Sequence, residues 1–262
     1  REFSDTHLNR WQYVKSIDGG LTYGSAVTIY DTGSDFTPYL ISYQNADVIQ
    51  FCATPGNPGE DPALNTYHFS FDLISETANK SDGTSLTLPA TVSNMTLVNA
   101  VVIGENSWIL DISTKNDVPR ILFAYFPSGD FIGKKRILKL AEWTGSSWSI
   151  KAICQTADKY LGPEINVDQR YYTGSARFCS NNPDLIFVPI AVNPMESLEL
   201  YKYDLRNNSF KQLTFNSPFE KDNWRPISIP CDRNNLLWMY NIKYTDFTDY
   251  RIQLKAMTVN VD

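Results

Sequence analysis

Histidine is almost missing from this chain of 262 residues, which has only His7 and His68. The four cysteines, Cys52, Cys154, Cys179 and Cys231, are far apart and form no C-x-x-C pair. Zinc-type ligand spacing is therefore absent, and neither a metal site nor a cofactor site is read from the sequence. Each cysteine lies in or beside an apolar run, so buried free thiols are expected, with disulfides left open. No stretch reaches the roughly 18 apolar residues of a membrane helix, which argues against membrane insertion. A basic stripe is also lacking: 23 Lys+Arg face 29 Asp+Glu, for a formal charge of -6, and the densest cationic run is Lys134, Lys135, Arg136 and Lys139. A nucleic-acid partner, which needs a continuous basic track, is excluded as an expectation. Helical periodicity is scarce as well, and Ile153–Lys159 is the best short candidate. The N-terminal Arg1-Glu2-Phe3-Ser4 has neither an initiator Met nor an apolar signal core, so a processed or excised piece of a longer chain is expected.

The chain is rich in strand-forming residues: 42% are hydrophobic and 13% aromatic, enough apolar material for a sizeable core. Short apolar or alternating runs are separated by turn clusters such as Asp18-Gly19-Gly20, Pro55-Gly56-Asn57-Pro58-Gly59 and Arg206-Asn207-Asn208-Ser209. That rhythm predicts an all-β fold. One unit runs through Trp108–Ile112, Arg120–Tyr125, Arg136–Trp143 and Trp148–Ile153. A second runs through Ser175–Phe178, Leu185–Ile190, Leu198–Asp204 and Phe210–Thr214. A third comprises Pro226–Ile229, Leu236–Tyr240 and Tyr250–Met257, and a fourth Pro38–Ser42, Asp47–Phe51 and Thr66–Phe71. Repeating meanders of this kind predict a single β-propeller domain over residues 1–262, with about five four-stranded blades. The N-terminal runs Arg10–Lys15 and Ser25–Tyr30 look like outer strands, which could complete a blade begun by the C-terminal strands and so close the ring.

Between those two N-terminal runs, Ser16-Ile17-Asp18-Gly19-Gly20-Leu21-Thr22-Tyr23 fits the Asp-box pattern S-x-D-x-G-x-T-W, with Tyr in the last place. Such a box staples a turn, and Asp18 is read as structural. The order of further motifs resembles the BNR-repeat proteins that include ulvan lyases, other polysaccharide lyases and rhamnosidases. These motifs are Pro38-Tyr39-Leu40, Val48-Ile49-Gln50-Phe51, Gly56-Asn57-Pro58, Asn65-Thr66-Tyr67-His68-Phe69, Ala124-Tyr125-Phe126, Leu140-Ala141-Glu142-Trp143-Thr144-Gly145, Tyr171-Tyr172-Thr173-Gly174, Leu200-Tyr201-Lys202-Tyr203 and Asp222-Asn223-Trp224-Arg225-Pro226. One departure is Gly56-Asn57-Pro58, where the family commonly has Gly-His-Pro.

The resemblance implies β-elimination on an acidic polysaccharide, or glycoside hydrolysis, in an extracellular or cell-surface setting. Elimination needs a base for the proton α to the uronate carboxylate, a cation for that carboxylate and an acid for the leaving oxygen. His68, Tyr125, Tyr172 and Lys139 are the candidate catalytic residues. Arg136, Tyr171, Arg177 and Arg225 are the candidate substrate-binding residues. The expected partner is a polysaccharide or glycan. The missing histidine motivates an alternative, a non-catalytic glycan- or receptor-binding propeller such as a viral or phage spike module.

Overall fold

The computed structural model describes residues 10–33, 38–57, 63–127, 136–155, 176–193, 197–213, 227–232, 235–244 and 250–260. Among these there is no helix, and every sheet pairing is antiparallel apart from two isolated parallel bridges. Strands β1 (Arg10–Tyr13) and β2 (Val27–Asp31) form a two-stranded ribbon. The next sheet holds β3 (Tyr39–Asn45), β4 (Val48–Thr54), β5 (Thr66–Asp72), β6 (Thr77–Asn79), β7 (Ser85–Leu86) and β8 (Thr96–Asn99). Two four-stranded meanders follow. The first is β9 (Asn106–Lys115), β10 (Val118–Phe126), β11 (Ile137–Trp143) and β12 (Trp148–Gln155). The second is β13 (Arg177–Cys179), β14 (Asn182–Asn193), β15 (Ser197–Asp204) and β16 (Ser209–Gln212). A three-stranded sheet of β17 (Ile227–Asp232), β18 (Asn235–Tyr244) and β19 (Tyr250–Asn260) completes the order.

The ribbon and the β3–β8, β9–β12 and β13–β16 sheets pack face to face in chain order, and side-chain alternation along the middle strands explains how. On β10, Leu122, Ala124 and Phe126 point toward β13–β15, where they pack with Phe178, Ile186, Val188 and Tyr203. The intervening Ile121 and Phe123 point the other way, toward Cys52 and Val98 of the β3–β8 sheet. A strand covered on both faces must be apolar at successive positions, which is why Val118–Phe126 reads as an almost unbroken hydrophobic run. The β1–β2 ribbon covers the far face of the β3–β8 sheet, with Tyr30 fully buried beside Phe51, Phe69 and Phe71. The Phe51 and Phe69 rings stack with centroids 4.8 Å apart.

Polar ties lock neighbouring sheets together. Arg120 on β10 donates to Asp184 Oδ1 at 2.8 Å and to the Pro183 carbonyl at 3.1 Å, both on β14, while Lys115 Nζ reaches the same carboxylate at 2.7 Å. Burial acts to raise the Asp184 pKa, but the two cations outweigh it and leave the carboxyl below its ordinary value. A bulge between Leu122 and Phe123 in the β9–β10 register lets Asp111 turn toward β13, where it accepts the Phe178 N–H at 2.8 Å.

The β1–β2 turn has the stapled geometry expected of its sequence. Asp18 Oδ1 accepts the Leu21 and Thr22 amides at 3.1 and 2.9 Å, and Oδ2 accepts the Thr22 hydroxyl at 2.6 Å. Gly19 and Gly20 adopt φ of 73° and 91°, the left-handed region that glycine tolerates. These bonds hold the Asp18 carboxyl down at about 2.

Two expectations change. Among the described residues β1–β2 does not pair with β17–β19; its backbone contact is a parallel bridge from Tyr30 to Ala90, so the ribbon belongs with the β3–β8 sheet. Ile153 is not helical but lies on β12, with Cys154 paired to Leu138, because the alternation Ile150–Ile153 continues the β11 hairpin; residues 156–159 lie outside the described ones. Cys52, Cys154 and Cys179 are free thiols, and burial raises the pKa of Cys52 and pushes that of Cys154 up to about 12.

Candidate functional site

Strand direction gathers the chemically interesting side chains at one end of the stack. The start of β3, the β4–β5 connection, the start of β9 and the β10–β11 connection all lie there, tied by the bridge between Leu64 and Asn106. Asn106 Oδ1 accepts the Leu64 N–H at 2.8 Å, which fixes this end of β9 against the neighbouring sheet.

At this end the Tyr125 hydroxyl hydrogen-bonds to Glu105, and the Lys139 ammonium sits 3.5 Å from the centroid of the Tyr125 ring. The geometry follows from the register. Lys139 is directly opposite Phe123, so it shares the face of β10 that carries Phe123 and Tyr125. Glu105 is placed by a tight turn in which its N–H donates to the Val102 carbonyl at 2.9 Å and Gly104 takes φ of 90°. Burial and then the Glu105 bond push the Tyr125 phenol up to about 12, which keeps its proton in place. Burial lowers the Lys139 pKa, with the negative charge of Glu105 partly opposing the change. The three side chains thus bring together a proton donor, an acceptor and a cation.

Tyr39 and Asn57 stand at the same end. The Asn57 amide donates to the Tyr39 hydroxyl at 3.3 Å, and the Tyr39 ring packs on Trp108 at 4.5 Å. Asn57 occupies the place where the resemblance leads one to expect histidine. Its amide can bind a sugar hydroxyl or carboxylate, but it cannot carry a proton at neutral pH.

Among the described candidates, His68 and Arg177 lie away from this cluster, whereas Arg136 adjoins the start of β11 at the same end but is turned onto Phe126. His68 is 1% exposed on β5, enclosed between two sheets. Its Nε2 lies 2.9 Å from Gln50 Oε1 and its Nδ1 2.8 Å from Ser81 Oγ, which in turn accepts the Trp148 indole N–H at 3.1 Å. One tautomer satisfies every bond: Trp148 donates to Ser81, Ser81 to Nδ1, and Nε2–H to Gln50. Burial drives its pKa down to about 3, so the ring is neutral and fully engaged, as in a core histidine rather than an open acid or base. Arg136 is 4% exposed, with its guanidinium over the Phe126 ring at 5.4 Å. The Arg177 side chain is 33% exposed and spans to β9, donating to the Leu110 carbonyl and pairing with Asp111 at 3.4 Å. Tyr171, Tyr172 and Arg225 lie outside the described residues. Sequence reasoning missed Glu105, which sits in a turn and forms no spaced pair with another acid. No group of three metal-ligating side chains occurs among the described residues.

Comparison with known proteins agrees with this architecture. The chain matches no protein-family model and no curated protein by sequence. It does match solved structures. An ulvan lyase of polysaccharide lyase family PL25, bound to -[GlcA(1-4)Rha3S]-, aligns with a TM-score of 0.61 and 15% identity over 97% of this chain and 59% of that chain. A second PL25 ulvan lyase structure gives a TM-score of 0.58 at 14% identity over the same shares. An α-L-arabinanase from Penicillium chrysogenum, complexed with arabinobiose, gives 0.52 at 11% identity over 96% of this chain and 68% of that one. The chain therefore spans about three-fifths of the ulvan lyase. Identity this low establishes a shared fold and no shared activity.

Proposed function

We propose that the chain is a carbohydrate-active β-propeller of about five blades that cleaves an acidic polysaccharide by β-elimination, in an extracellular or cell-surface setting. The observation that carries this reading is the Glu105–Tyr125–Lys139 cluster at the end of the stack where Tyr39, Asn57 and Trp108 also lie. The fold shared with structures that hold a uronate-containing saccharide and an arabinobiose supports it.

In this mechanism Lys139 stabilises the charge that builds on the uronate carboxylate as its α-proton leaves. The electron pair of the C–H bond forms the new C=C bond, and the pair of the C–O bond departs with the leaving oxygen. Tyr125, protonated up to about pH 12, supplies the proton to that oxygen. Glu105 orients the phenol before substrate arrives. Tyr172, from the sequence reading, is the proposed base, and Tyr171 and Arg225 are proposed substrate contacts. His68 and Arg136 act only by holding the sheets in place, and Arg177 by positioning β13 against β9.

The engagement of His68 and the presence of Asn57 favour a second reading, in which the same end binds glycan without cleaving it. Incubation with ulvan, glucuronan and pectin separates the two. Catalysis gives a rise in ultraviolet absorbance from the unsaturated uronate, which Lys139→Ala removes. A binder gives affinity for one of these polymers with no rise.

A further inference from the structure

A groove of about 450 Å³ opens between the sheets, lined by Trp143 and Trp148 of the β11–β12 hairpin, Ser146 of its turn, Leu97 of β8, and Lys80 and Asp82 of the β6–β7 turn. The Glu105–Tyr125–Lys139 cluster contributes nothing to this lining, and the hairpin turn lies at the opposite end of β11 from the β10–β11 connection. Its size falls in the range of small-ligand sites.

Trp143 and Trp148 are directly paired across the hairpin and so project from the same face, with ring centroids 5.6 Å apart and planes 59° from parallel. Trp148 is fixed from behind: its indole N–H is bonded to Ser81 at 3.1 Å, and the His68 ring meets it at 5.1 Å. Both tryptophans are only partly buried. Such a held ring offers a face to a ligand at little entropic cost. The chain gives the groove one cation and one anion, Lys80 and Asp82, which act on each other electrostatically. The lining thus has no net charge, and it combines aromatic faces with hydroxyls.

We propose that this groove is a peripheral saccharide-binding site, which takes a pyranose segment by stacking its C–H face on Trp143 and Trp148 while its hydroxyls meet Ser146, Lys80 and Asp82. The proposal rests on the carbohydrate reading above and adds a second point of attachment for a long chain. Two attachments raise affinity for polymer over short oligosaccharide without any new contact at the first. A charge-neutral groove also makes its share of binding nearly insensitive to salt, unlike attachment through Lys139.

The test uses the whole chain with ulvan polymer and an ulvan tetrasaccharide, measured by titration calorimetry at low and high salt. Trp143→Ala and, independently, Leu97→Arg should each weaken polymer binding about tenfold and leave tetrasaccharide binding within about twofold. Leu97 is 46% exposed, so Leu97→Arg blocks the groove without opening the core, and an unchanged unfolding temperature confirms an intact fold. Polymer affinity unchanged in both variants overturns the groove proposal and leaves the first site standing. If neither ligand binds the wild-type chain, the groove and the carbohydrate reading fall together.

Discussion

Enclosure of His68 makes a measurable demand on stability. Its folded pKa is about 3, against an ordinary 6.5 for a chain in which the ring is free. The folded state therefore refuses a proton that the unfolded state accepts, and the stability is complete above about pH 6.5 and lost as pH falls toward 3. At pH 5 the loss is about 2 kcal/mol, from 1.36 kcal/mol for each pH step below the unfolded value. By pH 3 it approaches about 4 kcal/mol, a large part of the stability of an ordinary domain. Urea unfolding of wild type and His68→Gln at about pH 7.5 and about pH 5 isolates this contribution, since carboxylates elsewhere titrate alike in both proteins. Wild type should lose about 2 kcal/mol more than the variant over that interval. Equal losses, or a His68 ring that titrates near its ordinary value by NMR in the folded protein, would refute the reasoning.

Arg120→Met should destabilise by about 2 to 3 kcal/mol, read as a lower urea midpoint, because it strips the main partner from a mostly buried Asp184 and leaves Lys115 alone with it. Phe69→Ala should cost about 3 to 5 kcal/mol in the same assay, because the ring is fully buried against Phe51. In Asp18→Ala the amides of Leu21 and Thr22 lose their acceptor, and their hydrogen exchange should become much faster while exchange in β9–β12 stays the same. Under the proposed elimination mechanism the alkaline limb of activity would follow Lys139: its lowered pKa makes it lose charge before an ordinary lysine, while Tyr125 holds its proton up to about 12, so Lys139→Arg should move that limb upward in the pH–kcat/KM profile.

The meanders could be read in the sequence because their pairings are local. Each hairpin of β9–β12 and of β13–β16 joins runs separated by a short turn or a single connection, so alternation and turn residues place the strands. Strands β6 and β7 escaped notice because three and two residues are too few to show a period. The partner of β1–β2 was out of reach for a different reason: the choice between sheets rests on Tyr30 fitting beside Phe51 and Ala90, a contact between distant parts of the chain.

The site was harder to read than the fold. Alternation in Tyr67-His68-Phe69-Ser70-Phe71 shows that His68 and Phe69 face opposite ways, but in a stack of sheets both directions lead into protein. Arg136 belongs to a cationic run that suggests a solvated or ligand-binding surface, yet it is buried with its guanidinium over the Phe126 ring. The resemblance points to the strands of Tyr125 and Lys139, and the cross-strand register brings Lys139 over the ring. Glu105 joins Tyr125 only in the folded chain, since a turn acid has no periodic signature.

Product mass after incubation with an oligosaccharide of alternating glucuronate and rhamnose 3-sulfate tests the central claim most directly. Elimination by the Tyr125–Lys139 cluster predicts fragments whose new non-reducing ends are one water lighter than hydrolysis products, formed by wild type and not by Tyr125→Phe or Lys139→Ala. Hydrated fragments, or unsaturated fragments made equally well by both variants, would contradict it.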